Sequence, residues 1–281
     1  MNRYVIFLTI IILFVKCKGV NESNASKDLF TENKGNTLPL FTLLDASKTK
    51  LNFINLMNES PTLNGIRYEY LYNGGGVAVG DLNKDDLPDI YFISNLYSNK
   101  LFINKGNLVF EETTVLSKVK GKRGFPTGVS LVDINSDGLL DIYICKSGDY
   151  DDLDYRRNEL YINQGNNDEG IPLFNEEASK YNLDLPHYST QATFFDYDRD
   201  GDLDMFLINH GIDPGYVEPN IPKLLKNKSI YSSDRLYRND KGKFKDVSKE
   251  SGIIDNSIGF GLGIAIGDLN NDGWPDILVG H

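Results

Sequence analysis

Asp81-Leu-Asn83-Lys-Asp85-Asp86-Leu87-Pro-Asp89 is echoed three more times in the chain. The echoes are Asp133-Ile-Asn135-Ser-Asp137-Gly138-Leu139-Leu-Asp141, Asp196-Tyr-Asp198-Arg-Asp200-Gly201-Asp202-Leu-Asp204 and Asp268-Leu-Asn270-Asn-Asp272-Gly273-Trp274-Pro-Asp276. All four fit D-x-[DN]-x-D-[GD]-x-x-D, and self-similarity of this kind identifies a repeat architecture before any element is assigned. Each copy is preceded by a short β-branched or aromatic run (Gly76–Gly80, Gly128–Val132, Gln191–Phe195, Gly263–Gly267) and followed by another (Ile90–Ile93, Ile142–Cys145, Met205–Ile208, Ile277–Gly280). Each unit therefore reads as strand, acidic loop, strand.

A second echo follows the first three loops: Asn99-Lys-Leu101-Phe-Ile-Asn104, Asn158-Glu-Leu160-Tyr-Ile-Asn163 and Asp234-Arg-Leu236-Tyr-Arg-Asn239. Further segments begin at Phe110, Phe174 and Phe244, which makes about four strands per repeat. The first aspartates are 52, 63 and 72 residues apart, a spacing that suits antiparallel sheets whose outer loops accept insertions. The expected fold is all-β: a β-propeller of four-stranded antiparallel blades, about four of them present, in an incomplete ring. Solenoid stacking is the weaker alternative.

Aspartates at loop positions one, three, five and nine converge if the backbone curls, and crowded carboxylates call for a cation. The expected ligands are Asp81, Asn83, Asp85 and Asp89; Asp133, Asn135, Asp137 and Asp141; Asp196, Asp198, Asp200 and Asp204; and Asp268, Asn270, Asp272 and Asp276. Position seven adds a backbone carbonyl from Leu87, Leu139, Asp202 and Trp274. Glycine at position six permits a left-handed turn, and Asp86 replaces it in the first loop. Oxygen-only ligands in a flexible loop favour Ca²⁺, up to four ions, over Zn²⁺ or Mg²⁺. The competing reading is a set of metal-free acidic turns. An EF-hand is excluded because position twelve, where that motif needs a bidentate Glu, is Phe92, Ile144, Leu207 and Val279.

The 281 residues carry a formal charge of −11. Thirteen aspartates at the four carboxylate positions outweigh that total and leave +2 for the rest of the chain. A basic nucleic-acid binder is therefore excluded, and two cysteines make no disulfide scaffold. At the N-terminus, Arg3 and the apolar run Tyr4–Val15 read as an export signal over residues 1–17. Cys17 stands where a bacterial lipoprotein signal has its lipid acceptor, although Lys16 departs from the small residue expected there. An ordinary secretory signal or an uncleaved anchor are the alternatives. Residues 18–37 read as a flexible linker, and residues 38–281 as the repeat domain.

These motifs, with Phe260-Gly261 before the fourth loop and Tyr72-Asn-Gly-Gly-Gly76 before the first, resemble the FG-GAP or VCBS repeat family of integrin-α-like β-propellers. The run of phrases from Phe41 through Phe53-Ile-Asn55 to Asn239 is similar to the N-terminal part of Bacteroidetes surface lipoproteins with an ASPIC/UnbV segment, a group related to cartilage acidic protein. The resemblance implies calcium in the hairpin loops and a recognition or adhesion role, and it supplies no catalytic residue. The fourth repeat stops at His281 after its second strand, so the chain reads as a fragment of a longer protein. Leu40–Phe53 resembles the terminal half of a blade and is expected to be a ring-completing strand.

Tyr68, Tyr70 and Tyr72 alternate and are expected to share one face of a strand, as packing or as a sugar platform. His187, His210 and His281 read as single core or surface histidines. Tyr216, Lys223, Lys226 and Lys228 in the 210–233 insertion mark a candidate binding loop or an unconstrained excursion. The functional expectation is an exported, non-enzymatic module for a glycan or protein, bound on the face away from the metal hairpins. It takes no nucleic acid and meets a membrane only through a lipid on Cys17. The alternative is a calcium-dependent polysaccharide-active enzyme such as a lyase, which would need a base and a cationic clamp.

Overall fold

A computed structural model describes residues 40–211, 225–226, 228–256 and 258–280. The chain divides into two units, Met1–Leu43 and Leu44–His281, and the repeats all lie in the second. Cys17, the export signal and the whole of the linker lie outside the described residues, as do Tyr216, Lys223 and His281.

The first blade has β1 (Val77–Gly80), β2 (Asp89–Phe92), β3 (Lys100–Asn104) and β4 (Phe110–Glu112), hydrogen-bonded in that order. The second has β5 (Phe125–Val132), β6 (Asp141–Ser147), β7 (Glu159–Asn166) and β8 (Pro172–Glu176). The third has β9 (Ser189–Phe195), β10 (Asp204–Asn209), β11 (Arg235–Asn239) and β12 (Phe244–Asp246), and β13 (Gly263–Gly267) pairs with β14 (Asp276–Gly280) to begin a fourth. All pairings are antiparallel, so the acidic loops are the β1–β2, β5–β6, β9–β10 and β13–β14 hairpins. The expected propeller architecture is present as three complete blades and the first half of a fourth.

The core lies between sheets, which follows from the two-residue period of a strand. β6 is buried along its whole length. Its Ile142 and Ile144 pack toward the first blade with Tyr91, Ile93 and Leu101, whereas Tyr143 and Cys145 pack toward the third with Met205 and Leu207. Phe206 and Ile208 on β10 meet Ile264, Ile277 and Val279 of the fourth blade. A strand sandwiched this way must be apolar on both sides, which explains the unbroken Ile142-Tyr-Ile-Cys145 run. Burial pushes the Cys145 thiol well above its usual value.

The innermost strands come close enough to dictate sequence. A Cβ on Gly128 would lie 2.2 Å from the Thr190 carbonyl oxygen of β9. Around it, Thr127 Oγ1 donates to Ser189 O at 2.7 Å and Ser130 Oγ donates to Ala192 O at 2.7 Å.

Two expectations fail here. Residues 40–53 contain no strand; Ala46–Thr49 is a single helical turn capped by Asp45, whose carboxylate accepts from Ser47 N–H. Such a cap competes locally with extended structure. Phe53 nonetheless stacks on Phe92 of β2 with ring centroids 4.6 Å apart. The tyrosines are not a strand ladder either, because Glu69–Tyr72 is a 3₁₀ turn that rotates Tyr72 to the surface while Tyr68 and Tyr70 stay buried. Tyr70 stacks on the buried His210 at 3.8 Å. His210 donates from Nδ1 to Gly211 O at 2.9 Å and accepts from Ser147 Oγ at Nε2, 2.7 Å. Burial lowers the His210 and His187 pKa values to about 4, so both are core imidazoles, neutral at physiological pH.

Candidate metal centre

The four loops share one hydrogen-bond network built on the recurrent aspartates. The position-one carboxylate spans the turn: Asp81, Asp133, Asp196 and Asp268 accept from the position-five N–H through Oδ1 at 3.0–3.1 Å and from the position-six N–H through Oδ2 at 2.8–3.1 Å. Oδ1 of Asp85, Asp137, Asp200 and Asp272 accepts from the N–H of Leu87, Leu139, Asp202 and Trp274 at 2.8–3.1 Å. Position six is left-handed, with φ of +65° at Asp86 and +82° to +96° at the three glycines. Position four is left-handed as well, at Lys84, Ser136, Arg199 and Asn271, which no glycine in the sequence signals.

The position-nine aspartates are placed differently. Asp89, Asp141 and Asp204 are fully buried at the start of the second strand. Their Oδ2 atoms accept from the N–H of Leu82, Ile134 and Tyr197 at 2.9–3.1 Å. Their Oδ1 atoms accept from the N–H of Asn104, Asn163 and Asn239 at 2.7–2.8 Å. One carboxylate thus ties the acidic loop to the end of the third strand. This accounts for the second sequence echo: the closing asparagine of Leu-x-x-Asn also donates its side-chain amide to Pro88 O, Leu140 O or Leu203 O. In the fourth loop Asp276 makes, among the described residues, the first tie only, to Leu269 N–H at 2.8 Å.

Burial raises the pKa of Asp89 and Asp204 to about 6 and that of Asp141 to about 7. Backbone donors oppose the shift, and the neighbouring loop aspartates add to it. A nearby cation would reverse this pressure.

The loops differ at position three. Asn83, Asn135 and Asn270 donate Nδ2 to the position-five Oδ2 at 2.8–3.0 Å, which relieves the repulsion locally. Asp198 has a second carboxylate oxygen where those asparagines have an NH2 donor. In that third loop Asp196, Asp198 and Asp204 each offer an oxygen within 4.8 Å of the others, the one such group among the described residues. Asp198 Oδ1, Asp202 Oδ1 and, in the first loop, Asn83 Oδ1 are buried without a hydrogen-bond partner. The position-three oxygens of Asp198 and Asn83, with no donor to meet them, fit a hard divalent cation, and the absence of nitrogen or sulfur among the loop ligands disfavours zinc.

Comparison with known proteins agrees with the repeat reading. The FG-GAP-like repeat family matches residues 81–144 and 227–279. Cartilage acidic protein 1 of Xenopus tropicalis is 27% identical over 216 residues, covering 75% of this chain and 29% of that protein. The Mus musculus and Homo sapiens proteins of the same name are 26% and 25% identical over 210 and 213 residues, covering 74% and 75% of this chain. The chain thus carries FG-GAP-like repeats and is distantly homologous to cartilage acidic protein 1, and it spans less than a third of the length of these relatives.

Proposed function

We propose that the chain is the propeller portion of an exported recognition or adhesion module whose blades are stabilised by Ca²⁺ in the hairpin loops. The carrying observation is the third loop, where three carboxylates converge and two buried oxygens lack donors. Side chains at positions one, three, five and nine and the carbonyl at position seven are the ligands in each loop, from Asp81, Asn83, Asp85, Leu87 and Asp89 to their counterparts ending at Asp276. The cation is structural in this reading, since it sits at blade hairpins held by their own backbone network. FG-GAP-like repeats suggest a non-enzymatic module. Export rests on the N-terminal apolar run, and surface attachment on a lipid at Cys17; no helix among the described residues is long and apolar enough to cross a membrane.

Calorimetric titration with Ca²⁺ tests the metal reading directly. Several sites and a melting temperature lowered by EDTA are expected; absence of binding heat together with an EDTA-insensitive melt refutes it. Mass spectrometry of the native N-terminus tests attachment, with a diacylated or triacylated Cys17 expected and an unmodified one assigning the protein to a secreted pool.

A further inference from the structure

Antiparallel blades separate two faces. The acidic hairpins occupy one end of each sheet, so the β2–β3, β4–β5 and β6–β7 connections gather at the other. Three of these connections enclose a trough of about 810 Å³, within the size range of small-ligand sites. Its chemistry is opposite to that of the hairpins: Lys120, Lys122 and Arg123 line it together with Tyr97, Tyr150 and Tyr155. Lys122 pairs with Glu176. Among the described residues neither Lys120 nor Arg123 has a carboxylate within ion-pair distance. Both remain exposed in a chain of net charge −11.

The cationic segment is fixed from beneath. Lys146 and Glu159 form a fully buried ion pair at 2.9 Å. Lys146 Nζ donates to Arg123 O at 2.8 Å, and the Glu159 carboxylate accepts the Lys122 N–H at 3.1 and 3.2 Å. Tyr161 OH completes the glutamate's shell at 2.6 Å. Lys120 is anchored through its carbonyl, which accepts from Asn99 N–H at 3.0 Å. A buried charge pair stabilises little by itself, but here it sets the position of a surface loop. Tyr97 is 53% exposed, the Tyr150 and Tyr155 ring centroids lie 5.2 Å apart, and the Arg123 guanidinium sits 5.1 Å from the Tyr155 centroid.

We infer that this trough binds an anionic saccharide, one bearing sulfate or uronic carboxylate groups. Exposed Lys and Arg without carboxylate partners provide charge-assisted hydrogen bonds to those groups. Flat tyrosine faces with polar rims suit the apolar CH face of a pyranose ringed by hydroxyls. Anchored backbone lowers the ordering cost of binding. The inference rests on the recognition reading above and names its ligand class and site.

Fluorescence polarisation with a labelled carrageenan hexasaccharide, sulfated and free of uronate, and a labelled oligogalacturonate, against uncharged chitohexaose, tests it on the full chain with saturating calcium. At least one charged sugar is expected to bind at least tenfold more tightly than the neutral one, and which of the two does so identifies the sulfate or carboxylate source. Lys120→Ala and Arg123→Ala should each weaken binding about tenfold at an unchanged melting temperature, and Tyr97→Ala should weaken it while leaving its salt dependence intact. Equal binding of the neutral sugar, no binding of either charged sugar, wild-type affinity in the double variant, or equally tight binding of oligothymidylate or polyglutamate would each overturn the assignment. A calcium titration on the same preparation keeps the two readings apart: loss of metal binding refutes the cation proposal, and loss of sugar binding by a calcium-replete protein refutes this one.

Discussion

Substituting Asp141 with alanine separates what the acidic loops do as protein from what they do as cation ligands. Asp141 is buried and its two oxygens accept from Ile134 N–H at 3.1 Å and Asn163 N–H at 2.7 Å. Alanine leaves both donors buried and unmet, at about 1–3 kcal/mol each, or about 2–6 kcal/mol together. That is a large share of the roughly 5–15 kcal/mol that holds a domain folded. At about 2–4 °C per kcal/mol for a body of this size, the melting temperature should fall by about 10 °C. Asparagine retains one acceptor and should cost about half as much. The comparison is Asp137→Ala, which removes an exposed acceptor for Leu139 N–H and should cost about 1 kcal/mol or less without metal. Urea unfolding at about pH 8 in excess EDTA and again in excess calcium provides the assay, above the pKa of about 7 to which burial raises Asp141. In EDTA the position-nine variant should be the more damaged; in calcium the Asp137 variant should lose the additional metal stabilisation seen in the wild type. If Asp141→Ala in EDTA is no less stable than Asp137→Ala, the carboxylate is not the tie between loop and third strand.

Asp200→Ala should weaken the third site more than surface substitutions do and reduce the calcium stoichiometry; unchanged stoichiometry by calorimetry would contradict the ligand assignment. Raised folded-state pKa values at Asp89, Asp141 and Asp204 confer stability below the ordinary carboxylate range that is lost as pH rises through about 6 to 7. Bound calcium favours the charged forms, so the difference in melting temperature with and without calcium should widen across that window, and a constant difference would refute the coupling. Gly128→Ala forces a Cβ to 2.2 Å from a backbone oxygen and should cost about 1–3 kcal/mol; a neutral effect on thermal melting would mean that the second and third blades are free to spread at that point.

The strands were legible because each hairpin repeats the same alternation, and the Ile142-Tyr-Ile-Cys145 run already indicates burial on both faces. The loop aspartates were legible as a set, but their division of labour was not. Spacing cannot show that Asp89 and Asp141 direct both oxygens to backbone donors, because one donor in each case is brought in from a distant strand. The closing asparagines Asn104, Asn163 and Asn239 were visible as an echo without a role for the same reason. Tyr68–Tyr72 misled because strand-like alternation survives in a short segment whose backbone closes on itself, with Leu71 N–H bonded to Tyr68 O and Asn73 N–H to Tyr70 O. The left-handed turns at Lys84 and Arg199 carry no local signal, since the aspartate network imposes them.

The amide of Asn163 in the second blade reaches Leu82 O in the first at 2.9 Å, Asn166 reaches Asn83 O at 2.7 Å, and Asn83 returns the contact to Gly170 O at 3.2 Å. Strain applied to the first hairpin is therefore handed directly to its neighbour. An ion seated there would act as a rivet through two plates, and its departure would slacken the seam between them ahead of either plate.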